Sequence, residues 1–398
     1  MRGCSSVVIF CCAFSACCVV SEASTMDPED MEVESGNPSN VLNHNHDVIK
    51  ERFKYFKRRK PPPDLSQVID FDHATAEASL GSVVPYQLNF SEDKDVLQEC
   101  GLTNPTEWKA FTLSTHPGLI FICNPFTASG QRHWAGRCLR DLPCHPNRTN
   151  LDAQGLLQPG ENWWKLCMDG AGGSLMKKLR WVTLGFHHDW HSKLYNMCDR
   201  SPFPADLARL AALLARCVGF ADYAAEAAIV NMYHADSTLA PHTDHSEWDM
   251  TAPLLSLSFG QSAIFLLGGE DRADAPAAMF VRSGDVIIMA NQCRKSYHSV
   301  PRILSAGDAR WHDSKRKRCG GCDTLRVASP KQARHAGADA EPRCSPGAIL
   351  CECDVTEASG DVTAEEGDPV AAYLGRSRIN INVRQVFQRG QVLHGETH

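Results

Sequence analysis

From residue 225 onward the chain alternates with a period of two: Ala227, Ile229, Asn231 and Tyr233 point one way along a strand, and Ala228, Val230 and Met232 point the other. Four more short strand-like runs follow at residues 254–260, 263–267, 277–281 and 286–289, punctuated by Gly268-Gly269 and by Ser283-Gly284-Asp285. A last run is the most regular. In Arg378–Arg384 the polar residues Arg378, Asn380, Asn382 and Arg384 share one face, and Ile379, Ile381 and Val383 share the other. Short strands joined by tight turns, with no helix between them, predict an antiparallel sandwich or barrel of the jelly-roll class.

Upstream the pattern is mixed. Residues 118–122 form an apolar run that ends at Asn124-Pro125, and Leu207, Leu210, Leu213, Leu214 and Val218 recur at helical spacing within 204–218. Between them lie Trp163, Trp164, the basic pair Lys177-Lys178, and then Trp181, Phe186, His187, His188 and Trp190. Aromatics and histidines this dense beside a basic cluster either pack a core or build a base-stacking pocket. Residues 50–60 carry seven basic residues and one acid, with Phe53, Tyr55 and Phe56 interleaved, before Pro61 to Pro63 end any helix. Such a segment can grip phosphates, dock as an amphipathic helix through its aromatics, or act as a nuclear targeting signal.

Composition sets the limits. The chain has 398 residues, 43% hydrophobic and 22% charged, which suits one large or two smaller globular domains. Its net charge of −7 excludes a protein that binds nucleic acid over its whole surface and leaves only local basic patches for that role. Five of eighteen cysteines fall in the first eighteen residues and five more in 319–353; the remaining eight are scattered as in a reduced chain. Residues 1–24 read either as a secretory-type leader or as a gene-model artefact ahead of Met26, and the polar, acidic stretch that follows reads as disordered. Residues 302–372 break the strand pattern with a basic run and Cys319, Cys322, Cys344, Cys351 and Cys353 in a Gly, Ser, Asp and Ala background. That stretch reads as a disordered insertion, with zinc binding as the alternative. The division expected is therefore a leader-like, disordered 1–48, an N-terminal extension over 49–222, a β domain over 223–388 interrupted by 302–372, and a tail over 389–398.

The candidate chemistry lies inside the strand-rich half. His242 and Asp244 are two residues apart and His298 follows 54 residues after Asp244. Two imidazoles and one carboxylate are the facial ligand set of a non-haem Fe(II) oxygenase, which keeps positions open for a co-substrate and dioxygen. A His-x-Asp pair alone is equally a polar surface loop; its place among the strands raises it. If the polar face of Arg378–Arg384 looks into the same jelly roll, its arginine forks make a receptor for a small dicarboxylate, with Asn231 and Tyr233 supplying further hydrogen bonds.

Asn231-x-Tyr233, His242-x-Asp244, the distal His298 and the Arg378-x-Asn380-x-Asn382-x-Arg384 strand together resemble the AlkB-type Fe(II)- and 2-oxoglutarate-dependent dioxygenases. Asp236-Ser-Thr-Leu, His298-Ser-Val-Pro-Arg and Leu179-Arg-Trp-Val-Thr are similar to animal members of that family, and the resemblance covers roughly residues 50–386 outside the insertion. Asn382 stands where the bacterial pattern has threonine. The resemblance implies a mainly β fold with flanking helices (α+β), a double-stranded β-helix core carrying an N-terminal helical and nucleotide-recognition extension. It implies Fe(II) on His242, Asp244 and His298, 2-oxoglutarate on Asn231, Tyr233, Arg378, Asn380 and Arg384, O2 as oxidant, and a nucleotide-recognition lid at Trp181, Phe186, His187 and His188. The activity implied is oxidative demethylation of nucleic acid (1-methyladenosine or 5-methylcytosine in tRNA, N6-methyladenine in DNA), releasing succinate, CO2 and formaldehyde, with a secondary lyase activity at abasic sites. The partners implied are tRNA and DNA, for a monomer of nucleus and mitochondrion, with cytoplasm as a further compartment and without membrane insertion. A histone- or protein-modifying oxygenase and a non-catalytic nucleic-acid binder on the same fold are the alternatives.

Overall fold

The alternating runs 227–233 and 378–384 pair with each other in continuous antiparallel register, Tyr233 against Arg378 and Ala227 against Arg384. Around this ladder the computed structural model describes residues 46–74, 82–90, 94–170, 172–190, 192–312 and 368–388. The leader-like segment, most of the polar N-terminal stretch, the cysteine cluster at 319–353 and the 389–398 tail lie outside the described residues.

In chain order the strands are β1 (Val83–Pro85), β2 (Lys109–Leu113), β3 (His116–Cys123), β4 (Arg148–Thr149), β5 (Trp181–Asp189), β6 (Leu194–Arg200) and β7 (Ala227–Tyr233). They continue with β8 (Leu239–His242), β9 (Leu254–Gly260), β10 (Ser262–Leu267), β11 (Ala277–Val281), β12 (Val286–Met289), β13 (His298–Leu304) and β14 (Arg378–Arg384). The larger sheet has the order β1-β2-β3-β12-β9-β14-β7-β5-β4, with β6 paired to β5, and the smaller one runs β11-β10-β13-β8. Leu254, Ile287, Met289 and Tyr233 of the larger sheet pack with Ala263, Phe265, Met279 and Val300 of the smaller. Eight strands in two facing layers, β7-β14-β9-β12 and β8-β13-β10-β11, make the jelly roll that the alternation predicts. Gly260 makes the tight turn from β9 to β10 at φ +85°, where a Cβ would lie 2.3 Å from the Ser377 carbonyl.

The outer face of the larger sheet is covered by helices. Ile379, Ile381 and Val383 are fully buried there with Leu207, Leu210 and Leu214 of the helix Ala205–Cys217, each large side chain contributing about 1.5 to 3 kcal/mol of burial. Trp163 and Trp164 belong to this core, so of the two readings of the tryptophan-rich stretch these two follow the packing one. The polar stripe of β14 is thereby turned toward the interior between the two sheets, where Arg378, Asn380 and Arg384 are all buried.

Helix α1 (Val48–Lys57) begins at Asp47, whose side chain accepts from the Lys50 N–H at 3.0 Å. It buries Ile49, Phe53 and Phe56 at helical spacing, and Phe53 and Phe56 pack with Ile264, Leu266 and Ala278. The aromatics of the basic segment therefore dock the helix, while Lys50, Lys54, Arg58, Arg59 and Lys60 stay exposed. Among the described residues no helix is long and apolar enough to cross a membrane.

The insertion drawn at 302–372 is too wide at both ends. β13 runs on to Leu304, Trp311 is buried, Arg310 pairs with Asp72 and Asp308, and the helix Pro369–Leu374 buries Val370, Tyr373 and Leu374. Low apolar content hid these short anchors; residues 313–367 are the part outside the described residues.

Candidate active site

His242 is the last residue of β8 and His298 the first of β13, and the two are register partners. Their rings lie 4.3 Å apart, and the Nδ1 atoms sit 2.9 Å from the Ala240 carbonyl and 3.1 Å from the Ser296 carbonyl. A carbonyl at Nδ1 selects the tautomer that leaves Nε2 unprotonated, the form a metal ligand needs. Burial, and then the nearness of His242, pushes His298 down to about 4, so it is neutral at pH 7. Asp244 lies with Oδ1 3.7 Å from His242 Nε2 and Oδ2 3.9 Å from His298 Nε2, and the three ligand atoms fall within 4.8 Å of one another. Burial alone would raise the Asp244 carboxyl; the positive charge of Arg384, aided by the neighbouring His298 and His242, outweighs it and holds the group well below the usual carboxylate range. Two imidazoles, that of His298 neutral, and one ionised carboxylate converge on one point, as the ligand set requires.

Arg378 and Arg384 share a face and have different surroundings. Arg384 is satisfied: Nη2 donates to Asp244 Oδ2 at 2.8 Å, Nε meets Glu247 Oε1 at 3.0 Å and Nη1 reaches the Asn382 carbonyl at 3.4 Å. Arg378 is not. It is 2% exposed, Nη2 donates to Ser258 Oγ at 2.9 Å, and Nε and Nη1 are buried with no acceptor. Its guanidinium lies 5.2 Å from the Tyr233 ring centre, and burial lowers its pKa. A buried cation with two idle N–H groups costs several kcal/mol unless an anion completes it, and its planar fork fits a carboxylate. The residues present thus fit both groups that the resemblance implies, a divalent metal and a small dicarboxylate. Asn380 has less to offer, because its Nδ2 already donates to Ser256 Oγ and the Leu257 carbonyl. Asn231 sits half-buried beside it, the register partner of Trp181 on one side and Asn380 on the other.

Trp181, Phe186, His187 and His188, which the resemblance implies as a lid, separate into two pairs. His188 Nε2 lies 3.0 Å from the hydroxyl of Ser246, two residues beyond Asp244, and its ring is 4.7 Å from Trp190, which is 5.4 Å from Trp181. His188 Nδ1 and Trp190 Nε1 are buried without a partner. Phe186 instead packs with Phe387, Val386 and Tyr195, and the buried His187 is tied to Thr183 Oγ1 at 2.8 Å. Gly185 sits inside β5 at φ +67°, with the Glu226 carbonyl where a Cβ would go, and just beyond it the β5–β6 register shifts between Phe186 and His188. A period-two reading of β5 could not foresee that shift. Ser246, Glu247 and Arg294 were not legible as site residues either, since nothing in the spacing around them marks a side chain that turns inward.

A sequence profile described as the 2OG-Fe(II) oxygenase superfamily matches residues 118–384. The Mus musculus protein named nucleic acid dioxygenase ALKBH1 is 37% identical over 362 residues, spanning 87% of this chain and 85% of its own. An Arabidopsis thaliana protein named DNA N(6)-methyladenine demethylase ALKBH1A is 28% identical, over 84% of this chain and 91% of its own. The Schizosaccharomyces pombe protein named tRNA demethylase abh1 is 36% identical over 216 residues, 49% of this chain and 72% of its own.

Proposed function

Because the chain belongs to the 2OG-Fe(II) oxygenase superfamily, in its AlkB-type branch, we propose that it is a nucleic acid dioxygenase that removes methyl groups oxidatively from bases of tRNA or DNA. The observation that carries this reading is Arg378, buried with two idle N–H groups on the inner face that also holds His242, Asp244 and His298. Fe(II) with 2-oxoglutarate and O2 supplies, when bound, the oxidising power to hydroxylate a methyl group on nitrogen, with succinate, CO2 and formaldehyde as the products released.

The chain's own residues do the rest. His242, Asp244 and His298 hold the metal, and Arg378 fixes one end of the co-substrate through Nε and Nη1. Tyr233, its hydroxyl pushed up to about 12 by burial against the pull of Arg378, stays a neutral wall of that pocket. Trp181 and Trp190 offer ring faces for a base taken out of its stack, and His188 Nδ1 and Trp190 Nε1 offer polar atoms to its edge. The exposed basic residues of α1 and the segment after it supply phosphate contacts, on a helix docked against the sheet that bears both histidines. A pure binder has no use for two histidines and an aspartate converging on one point beside an idle buried arginine, which weighs against the non-catalytic alternative. A monomer acting in nucleus and mitochondrion is part of the same proposal.

The deciding experiment is succinate release with Fe(II) and 2-oxoglutarate, run side by side on methylated tRNA, methylated DNA and histone peptides. Release coupled to loss of the methyl mark on either nucleic acid is the result expected. Release on the histone peptide alone would move the chain to the protein-modifying class.

A further inference from the structure

Glu247 is an acidic residue and yet its side chain is 2% exposed. A buried carboxylate needs partners, and it has three: Arg294 Nη2 at 2.7 Å, Arg384 Nε at 3.0 Å and the Tyr195 hydroxyl at 3.3 Å. Both arginines then continue to one residue. Arg384 Nη2 donates to Asp244 Oδ2 at 2.8 Å, and Arg294 Nη1 donates to the Asp244 main-chain carbonyl at 2.7 Å. One carboxylate therefore braces two guanidiniums that grip Asp244 by its side chain and by its backbone. With Oδ2 taken, Oδ1, 3.7 Å from His242 Nε2, is the oxygen left to a metal.

His242 and His298 are set by strand pairing, but Asp244 lies past the end of β8 and has no ladder to hold it. We propose that Glu247 is a positioning residue of the metal centre: it fixes Arg384 and Arg294 so that Asp244 presents a single oxygen in a fixed direction. The four charges, two acids and two arginines, balance before any metal enters. Removing Glu247 leaves two buried guanidiniums without the carboxylate they share, and Arg384 loses the bond that sets the plane of its fork. The inference rests on the metal centre proposed above.

The test uses the full chain stripped of metal and titrated with Co(II), following visible absorption, with the melting temperature of the metal-free protein measured alongside. Glu247→Gln should weaken Co(II) binding about 10- to 100-fold, the usual effect of losing an outer partner of a metal ligand, and should change the shape of the Co(II) absorption. Glu247→Asp keeps the charge and so protects folding, but withdraws the carboxylate by one methylene; it should show an intermediate loss with an altered spectrum. A folded variant of either kind that takes Co(II) with parental affinity and spectrum, even at a lower melting temperature, reduces Glu247 to a structural ion pair and overturns the proposal. A parent chain that takes up no Co(II) removes the metal centre itself, and this inference with it.

Discussion

His242 closes β8 and His298 opens β13 as direct partners on one ladder, so sheet register sets the separation of the two imidazoles. A site built on paired strands holds its geometry better than one built on loops. The third ligand is the exception, and its loop is compensated by charge: Arg384 holds the Asp244 carboxylate and Arg294 its carbonyl.

Asp244→Ala should abolish metal binding and turnover. It should also cost about 1 to 3 kcal/mol of stability, because Arg384 loses one buried acceptor while keeping Glu247. Metal titration and denaturant unfolding of the same preparation check both parts. A variant that turns over at near the parental rate would show that the ligand set is misassigned.

Neutralising Lys57, Arg58, Arg59 and Lys60 together should weaken nucleic-acid binding regardless of base sequence and flatten its salt dependence by up to about four units of slope. The packing of α1 predicts that the fold survives, since Ile49, Phe53 and Phe56 carry the docking. Binding isotherms at several salt concentrations provide the test. An unchanged slope would leave the segment with docking or targeting alone.

Replacing residues 313–367 by a short linker should leave metal and 2-oxoglutarate binding intact, since closure entropy changes by only about 0.6 kcal/mol per doubling of loop length. Extending the deletion to 302–372 should unfold the domain, because it removes part of β13, the buried Trp311 and most of the helix Pro369–Leu374. Circular dichroism melts of the two deletions separate these outcomes. Equal stability of the two would mean that the anchors contribute nothing.

Most of the jelly roll was legible because its strands alternate cleanly: the bounds read for 254–260, 277–281, 286–289 and 378–384 coincide with those observed. The triad was legible by residue type and spacing. The division of labour between the two β14 arginines was not, because alternation gives them the same face and only three-dimensional neighbours separate Arg384, paired with Asp244 and Glu247, from Arg378. The split among Trp181, Phe186, His187 and His188 escaped for another reason, the register shift between Phe186 and His188 that follows a left-handed glycine at 185.

Stability should carry a signature of Asp285. Burial pushes this carboxyl up to about 7, against the Arg282 N–H and the charge of Arg310, from an ordinary value of 3.8. The folded chain then keeps a proton that the unfolded chain releases, so between 3.8 and about 7 this group makes stability fall as pH rises, and above that window its contribution is flat. Asp285→Asn removes the titration, and its melting temperature should rise more steeply, or fall less, across the same window than the parent's. Parallel profiles for parent and variant would count against a protonated Asp285.

The sharpest prediction concerns Arg378, whose Nε and Nη1 have no acceptor in the protein. If a co-substrate carboxylate is that acceptor, Arg378→Ala should weaken 2-oxoglutarate binding by about 2 to 5 kcal/mol, as for truncation of one member of a buried charge pair, or roughly 30-fold to several thousand-fold in affinity. Lysine there should restore only part, because it brings a point charge in place of a fork. Arg378→Met adds a test that affinity cannot give. In the absence of co-substrate the arginine is a buried, half-unpartnered cation whose pKa burial lowers, so an apolar side chain of similar length should leave the protein at least as stable as the parent. Ile381→Val, on the helix-facing side of the same strand, should do the reverse, costing about 0.5 to 1.5 kcal/mol of stability with 2-oxoglutarate affinity unchanged. Anaerobic titration of 2-oxoglutarate into each variant loaded with an inert divalent metal, paired with denaturant melts, measures both quantities. Parental affinity in Arg378→Ala, with a large loss of stability in Arg378→Met, would make Arg378 a structural residue and send the search for the co-substrate anchor elsewhere.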